Sequence, residues 1–238
     1  MFRNALAHVQ RNPKALLIFV VIVAAYFALR VVVEEAIIGA LDAETLEQSD
    51  KVYLIVSGIV TAIVIAIAQT IAFTILGRDI DRPFWKVEEG LPTFLRFCSF
   101  WFTLNYINTA VFLIAVMSPV SDDARVSIEV LRSVLELLIV PFGATVMFYG
   151  NTTRAELGQA FHTMILQLPL FFLVGFFGLI FQSIQITLQA ELIEIHSMTL
   201  PIIGAIGAYM DCFIFAYTWE ICKRNREQEE NADDDLDF

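Results

Sequence analysis

Residues 52–77 read VYLIVSGIVTAIVIAIAQTIAFTILG, and this stretch contains no charged side chain. A helix needs about 20 apolar residues to cross a hydrocarbon core about 30 Å thick. The apolar residues form a continuous run and do not alternate with polar ones, as they would in a barrel strand. The stretch therefore predicts a membrane-spanning α-helix.

Further apolar runs of similar length lie along the chain. With the first stretch they predict spanning helices at residues 15–33, 52–77, 94–117, 127–149, 163–188 and 198–222. Asn12 and Pro13 favour a helix start before the earliest run, because Asn is a good N-cap and Pro is tolerated in a first turn. The predicted fold class is an all-α polytopic membrane protein, with six transmembrane helices forming one domain over residues 1–222.

The overall composition favours the same class. The chain has 238 residues, of which 58% are hydrophobic and 17% charged, and its mean hydropathy is +0.69. An ordinary soluble domain is about 45–50% apolar and about 25% charged. Because a soluble core of this chain length could not bury such an excess, the lipid bilayer is the predicted surrounding. Basic patches are too small for a nucleic-acid partner.

The basic residues predict the orientation. Most of the 15 Lys and Arg residues lie before the first run, between the second and third, between the fourth and fifth, or after the sixth. Cationic residues beside spanning helices are retained in the cytoplasm during insertion. Both termini are therefore expected in the cytoplasm.

The net charge of −11 comes from two separate acidic segments. Residues 34–51 are predicted to connect the first two spanning helices on the outer side. Residues 223–238 have too few apolar side chains to fold alone, which predicts a disordered cytoplasmic tail. Because the two segments lie on opposite faces, the low pI does not indicate a single acidic docking surface.

Two segments on the predicted cytoplasmic side mix apolar and charged residues. Residues 1–10 and 78–91 are predicted as short helices at the lipid headgroups. Within the second, Asp79 and Asp81 form a DxD triplet, a pattern that holds a metal–nucleotide in glycosyl transfer. It falls in a very short loop between basic residues, and we expect an ordinary charged loop.

Polar side chains at mid-depth are the candidate functional residues. An ionisable side chain in hydrocarbon costs at least about 2.5–3.5 kcal/mol, so it generally faces protein or water. Counting about 1.5 Å per residue from the helix ends identifies several polar residues at similar depth. These candidates are Asn105, Asn108, Arg132, Glu136 and Asp211.

The depth of these residues predicts that the third, fourth and sixth spanning helices adjoin. Arg132 and Glu136 are one helical turn apart, and Arg132 is expected between the carboxylates of Glu136 and Asp211. Gln69 is placed nearer the inner boundary. Two interpretations stay open: a polar cavity that binds a cation, a proton or a headgroup, or an interhelical lock of hydrogen bonds that holds the bundle together.

Catalytic and metal-binding motifs are missing from the sequence. It contains no HExxH, GxSxG, GxxxxGK[ST] or GxGxxG pattern. The three His residues fall at different membrane boundaries, and the three Cys residues do not predict a disulfide framework. No catalytic residue, metal site or cofactor is predicted.

The sequence TRAELGQAFH at residues 153–162 leads into the fifth apolar run, and RNP at residues 11–13 leads into the first. This helix plan resembles that of six-helix bacterial inner-membrane proteins, including the membrane domain attached to some glycerophosphodiester phosphodiesterases. The likeness covers the plan along the chain and no catalytic motif, so no active-site residue carries over. It implies a bacterial inner-membrane setting.

Three classes of function follow from these observations. The prediction is a non-enzymatic membrane component that assembles with partners, or as a homo-oligomer, or acts on the envelope. The alternative is a small transporter or channel that uses the mid-depth polar residues. An intramembrane enzyme acting on lipid is the third class.

Overall fold

The structure, a computed structural model, describes residues 1–38, 43–117, 121–192 and 199–234. Within the acidic loop predicted at residues 34–51, residues 39–42 lie outside the described residues, as do residues 235–238 of the predicted tail. All regular secondary structure in the described residues is helical, and turns or short irregular stretches connect the helices. The α-helices described are α1 (Phe2–Arg11), α2 (Pro13–Ile38), α3 (Ala43–Ile80), α4 (Leu91–Met117), α5 (Asp122–Tyr149), α6 (Arg154–Leu166), α7 (Leu168–Leu192) and α8 (Thr199–Asp234).

Five of these helices are long and apolar enough to cross a membrane, and α6 with α7 makes a sixth if the pair is one span. The predicted class, an all-α polytopic membrane protein, is therefore confirmed. The five continuous candidate spans are Pro13–Val33, Val52–Ile80, Leu91–Ile114, Val126–Tyr149 and Ile202–Glu229.

The fifth predicted helix, residues 163–188, is broken in the structure. α6 ends at Leu166, α7 begins at Leu168, and their axes differ by 86°. Pro169 explains the break, because proline has no N–H to donate and its ring clashes with the carbonyl four residues earlier. Proline is well placed in the first turn of a new helix, which is where α7 has it. The first residues of the predicted span therefore belong to α6.

The N-terminal segment forms α1, as predicted for residues 1–10, and packs against α8. Its apolar face is buried through Ala5 and Val9. The ring of Phe2 lies 5.0 Å from that of Phe213, centroid to centroid. The Nε2 atom of His8 lies 3.0 Å from Oε1 of Glu220. The beginning of the chain and the second half of α8 are therefore at the same end of the bundle.

The connection between α3 and α4 differs from the predicted interfacial helix. A 3-10 turn at Arg82–Phe84 is followed by an irregular stretch as far as Gly90. Pro83 cannot donate a backbone hydrogen bond and Gly90 has a φ of +144°, and both features interrupt a helix. Trp85 turns back onto the bundle and stacks on Trp219 at a centroid distance of 5.7 Å.

The helix α8 is longer than predicted and contacts α1, α2, α3, α5 and α7. The predicted disordered tail begins at Lys223, but in the structure the helix continues to Asp234. Asn225 is buried, and its Oδ1 accepts a hydrogen bond of 2.9 Å from Nε2 of Gln167 at the α6–α7 break. The first turns beyond residue 222 are therefore part of the fold, because they have their own packing partners.

Aromatic side chains fill the core between α8 and its neighbours. The rings of Phe73 and Phe215 stack at 4.4 Å, and Trp101 lies 5.1 Å from Phe73. Trp101 is fully buried, and its indole ring packs against α5 at Gly143. A Cβ atom at that glycine would lie 2.0 Å from the indole ring. The close approach of α4 and α5 therefore requires a residue without a side chain at this position.

Gly143→Ala is expected to destabilise the protein by about 1–3 kcal/mol, because the added methyl group overpacks a filled core. The measurement is the free energy of unfolding in detergent. The matched control is Gly175→Ala, since a Cβ at Gly175 meets no atom within 4 Å. The control should be neutral or slightly more stable, because alanine favours helix over glycine. Equal stability of the two variants would contradict the packing described.

A buried ion pair closes the end of the bundle at which α1 lies. Nη1 of Arg226 is 3.5 Å from Oδ2 of Asp81, and the indole nitrogen of Trp219 donates to the same oxygen at 3.4 Å. The guanidinium lies between the rings of Phe84 and Phe148, at 4.6 and 5.1 Å. Within the DxD triplet Asp81 is therefore a structural residue, whereas Asp79 is exposed.

Arg226→Gln is expected to destabilise the protein by about 3 kcal/mol, because it leaves the buried Asp81 carboxylate without its cation. Unfolding free energies of purified variants measure this loss. Arg78→Gln is the matched control, since Arg78 pairs with Glu89 at the surface, where such pairs contribute about 0–1 kcal/mol. The double variant D81N/R226Q should recover part of the loss, because no unpaired charge remains. A double variant no more stable than R226Q would contradict this account.

Candidate functional site

The predicted polar residues lie near the middle of their helices. At about 1.5 Å per residue, Asp211 is about 18 Å from the start of α8 at Thr199. Asn105 is about 21 Å from the start of α4, and Glu136 is about 21 Å from the start of α5. A spanning helix crosses about 30 Å of hydrocarbon, and these distances correspond to the interior of such a span.

One hydrogen-bonded chain joins α8, α3 and α4 at this depth. Nε2 of Gln69 donates to Oδ2 of Asp211 at 3.4 Å, and Oε1 of Gln69 accepts from Nδ2 of Asn105 at 2.8 Å. The Asn105 amide also donates to the Trp101 carbonyl at 2.8 Å, within α4. Gln69 is only 2% exposed and uses both ends of its amide. It therefore orients both the Asn105 amide and the Asp211 carboxylate.

A second polar group joins α4 and α5. Nδ2 of Asn108 donates to Oε1 of Glu136 at 3.1 Å, and Nε and Nη2 of Arg132 donate to the same oxygen at 3.2 and 3.0 Å. The Arg132 guanidinium also lies 4.8 Å from the centre of the Phe112 ring. A carboxylate at this depth thus has its own cation, one helical turn away.

The two groups face a common cavity of about 300 Å³. Apolar side chains of α2, including Phe19, Val23 and Phe27, form part of its wall. Gly204 and Gly207 of α8 also line it. The polar side chains on its wall are Gln69, Asn105, Asn108, Glu136 and Asp211.

Four of the five predicted residues therefore line one cavity, and the fifth, Arg132, holds Glu136 from outside that lining. The sequence predicts Arg132 between Glu136 and Asp211, but the structure pairs Arg132 with Glu136 and brings the Gln69 amide onto Asp211. The sequence also predicts Gln69 nearer the inner boundary, whereas its amide contacts Asn105 and Asp211, two of the mid-depth candidates. A lone glutamine in a charge-free run was the available signal, because a polar amide in hydrocarbon needs partners.

Among the described residues, the Asp211 carboxylate has no positively charged partner in the cavity. Across the described part of the chain, the ion pairs at mid-depth consist of Arg132 with Glu136, and Asp211 takes part in none. A buried carboxylate without a cation is unfavourable, and one amide donor compensates it only in part. The cavity can therefore stabilise a positively charged guest at Asp211.

Metal binding and nucleophilic chemistry find little support in the described residues. Within those ranges no three His, Cys, Asp or Glu side chains come together as a metal site. Cys98, Cys212 and Cys222 are free thiols, and the last two are buried. The polar cavity is thus the principal candidate site of the described structure.

No protein-family model, curated protein sequence or solved structure matches this chain. The resemblance to six-helix bacterial inner-membrane proteins stays a prediction.

The double variant of Gln69→Met and Asn105→Leu should show a coupling free energy of about 0.6 kcal/mol, a typical value for hydrogen bonds between membrane helices. Unfolding free energies of the two single variants and the double variant measure it. The control pair combines Gln69→Met with Thr103→Val. Thr103 is exposed, and its hydroxyl donates to the Ser99 carbonyl of its own helix. The control should give no coupling. Equal coupling in both pairs would contradict the Gln69–Asn105 bond.

Proposed function

We propose that the protein is a small membrane transporter that binds an organic cation in the mid-depth cavity. The observation that carries the proposal is the Asp211 carboxylate, which faces the cavity with an amide and no cation as its partner among the described residues. Ionisable groups inside a membrane commonly mark the path of a substrate or an ion. The guest would supply the missing positive charge.

The net charge of the site supports a guest with one positive charge. Arg132 offsets Glu136 through hydrogen bonds of 3.0 and 3.2 Å. The Asp211 carboxylate then leaves one negative charge at the cavity wall. A neutral or anionic guest would leave that charge uncompensated, whereas a monovalent cation balances it.

The apolar part of the cavity wall favours an organic cation over a bare metal ion as the guest. Oxygen donors surround a hard cation in its binding sites, but the cavity wall also includes Phe19 and Phe27. Aromatic faces attract ammonium groups, and hydrocarbon walls match apolar substituents. A cavity of about 300 Å³ has room for a small substituted ammonium ion.

Two features of the fold support transport in addition to binding. Substrate sites of transporters lie near the bilayer midplane and are often bordered by interrupted helices. The cavity-lining polar residues are the candidates for that depth, and α7, which follows the 86° bend after α6, reaches the cavity wall at Gly178.

The proposal includes an orientation and a location. The distribution of basic residues supports cytoplasmic termini, and the helix plan supports a bacterial inner membrane as the location. The contact of α1 with α8 supports a common side for the two ends. Assembly with protein partners or as a homo-oligomer is compatible with this function.

The test uses proteoliposomes loaded with radiolabelled tetramethylammonium. This ion has no proton to lose and does not cross a lipid bilayer without a transport protein. Liposomes that contain the wild-type protein should release the ion faster than protein-free liposomes loaded with the same ion. Asp211→Asn should lower the rate at least tenfold, since it removes the counter-charge, and Glu136→Gln should lower it less. Na⁺ and K⁺ serve as inorganic probes in the same preparation.

Asp79→Asn is the matched control, because it makes the same chemical change at an exposed site outside the cavity. Its flux should equal that of the wild type. Thermal unfolding and gel filtration of each variant report whether it remains folded. If the polar residues form an interhelical lock, Asp211→Asn should lower the yield of folded protein. If folded wild-type protein gives no organic-cation flux, the proposal is overturned in favour of a non-transporting membrane component.

A further inference from the structure

A second cavity lies between α1 and the second half of α8, and it is separate from the mid-depth cavity. Its volume is about 530 Å³. One polar stripe of α1 lines it, with Asn4, His8 and Arg11 at helical spacing. The facing stripe of α8 consists of Glu220, Lys223, Arg224 and Glu227. We refer to this space as the terminal cleft.

Part of the charge in the terminal cleft is already paired. Glu220 Oε2 accepts a hydrogen bond from the Asn4 amide at 3.2 Å, and its Oε1 lies 3.0 Å from His8 Nε2. These contacts join α1 to α8 and occupy both carboxylate oxygens of Glu220. The cations Arg11, Lys223 and Arg224 then face the single carboxylate of Glu227. The cleft therefore has an excess of positive charge.

The terminal cleft lies where the bundle enters the lipid. Arg11 comes directly before Asn12 and Pro13, and the first spanning helix starts at Pro13. Beside this polar stripe, α1 has a buried apolar face with Ala5 and Val9. An amphipathic helix of this kind lies in the headgroup region. The cleft is thus at the level of the lipid phosphates.

We propose that the terminal cleft binds the phosphodiester headgroup of an anionic lipid. Arg and Lys side chains bind phosphate through charge-assisted hydrogen bonds, and basic pockets between membrane helices bind anionic headgroups. Arg11 approaches the phosphate from one helix, and Lys223 with Arg224 approaches it from the other. The lipid then bridges α1 and α8 at the end of the bundle.

This inference is independent of transport through the mid-depth cavity. Basic residues beside spanning helices also serve orientation, and that role needs no shared pocket. The two roles depend on different sets of basic residues. A headgroup site depends on the three cations that line the cleft, whereas orientation depends on all basic residues at this end of the bundle.

The test measures thermal unfolding of the full chain in a neutral detergent, titrated with dioctanoyl phosphatidylglycerol. Dioctanoyl phosphatidylcholine and inorganic phosphate are added to parallel samples. The anionic lipid should raise the Tm of the wild type in a saturable way, and the other two additions should not. The triple variant R11Q/K223Q/R224Q should weaken the apparent affinity for the anionic lipid at least tenfold.

The matched control is R3Q/K14Q/R82Q, which removes the same charge from exposed residues outside the cleft lining. It should keep the wild-type affinity. Arg224→Gln alone, which retains two cleft cations, should weaken binding about threefold and keeps the test informative if the triple variant does not fold. Equal loss in the control, an equal shift with inorganic phosphate, or no shift in the wild type would each overturn the lipid assignment.

Discussion

Hydrocarbon offers no hydrogen-bond partners, and this constraint governs the whole structure. It makes the backbone of the spanning segments helical, because only a helix satisfies its N–H and C=O groups within one segment. It also turns the mid-depth polar side chains toward one another, where Gln69 connects Asn105 with Asp211. The cavity is the consequence of gathering more polar groups than can be paired there, which leaves the Asp211 carboxylate without a cation.

The sequence predicted the fold class and the approximate position of most spanning helices, because their apolar runs exceed the thickness of the membrane. It missed two boundaries. The break at Gln167 follows from Pro169, whose effect on the backbone is not recorded by hydropathy. The continuation of α8 past Lys223 depends on Asn225 and Arg226, which pack against other parts of the chain. Hydropathy records the character of each residue alone, so it cannot identify a polar residue that has a distant partner.

The site was partly predictable by the same reasoning. Counting along straight helices identified Asn105, Glu136 and Asp211, which line one cavity in the structure, because the rise per residue is nearly constant. It did not give the rotation of each helix about its axis, which decides the partners. Arg132 was therefore expected between two carboxylates, although it binds Glu136, and the place beside Asp211 is taken by Gln69.

The docking of α1 on α8 has a consequence for biosynthesis. The two partners of the His8–Glu220 contact are 212 positions apart, so the ribosome must make the chain through α8 before they can meet. The earlier helices are made before the helix that contacts α1, α2, α3, α5 and α7. Contacts of such sequence separation form late. The packing of α1, and of the other helices that contact α8, is therefore completed only after α8 has been made.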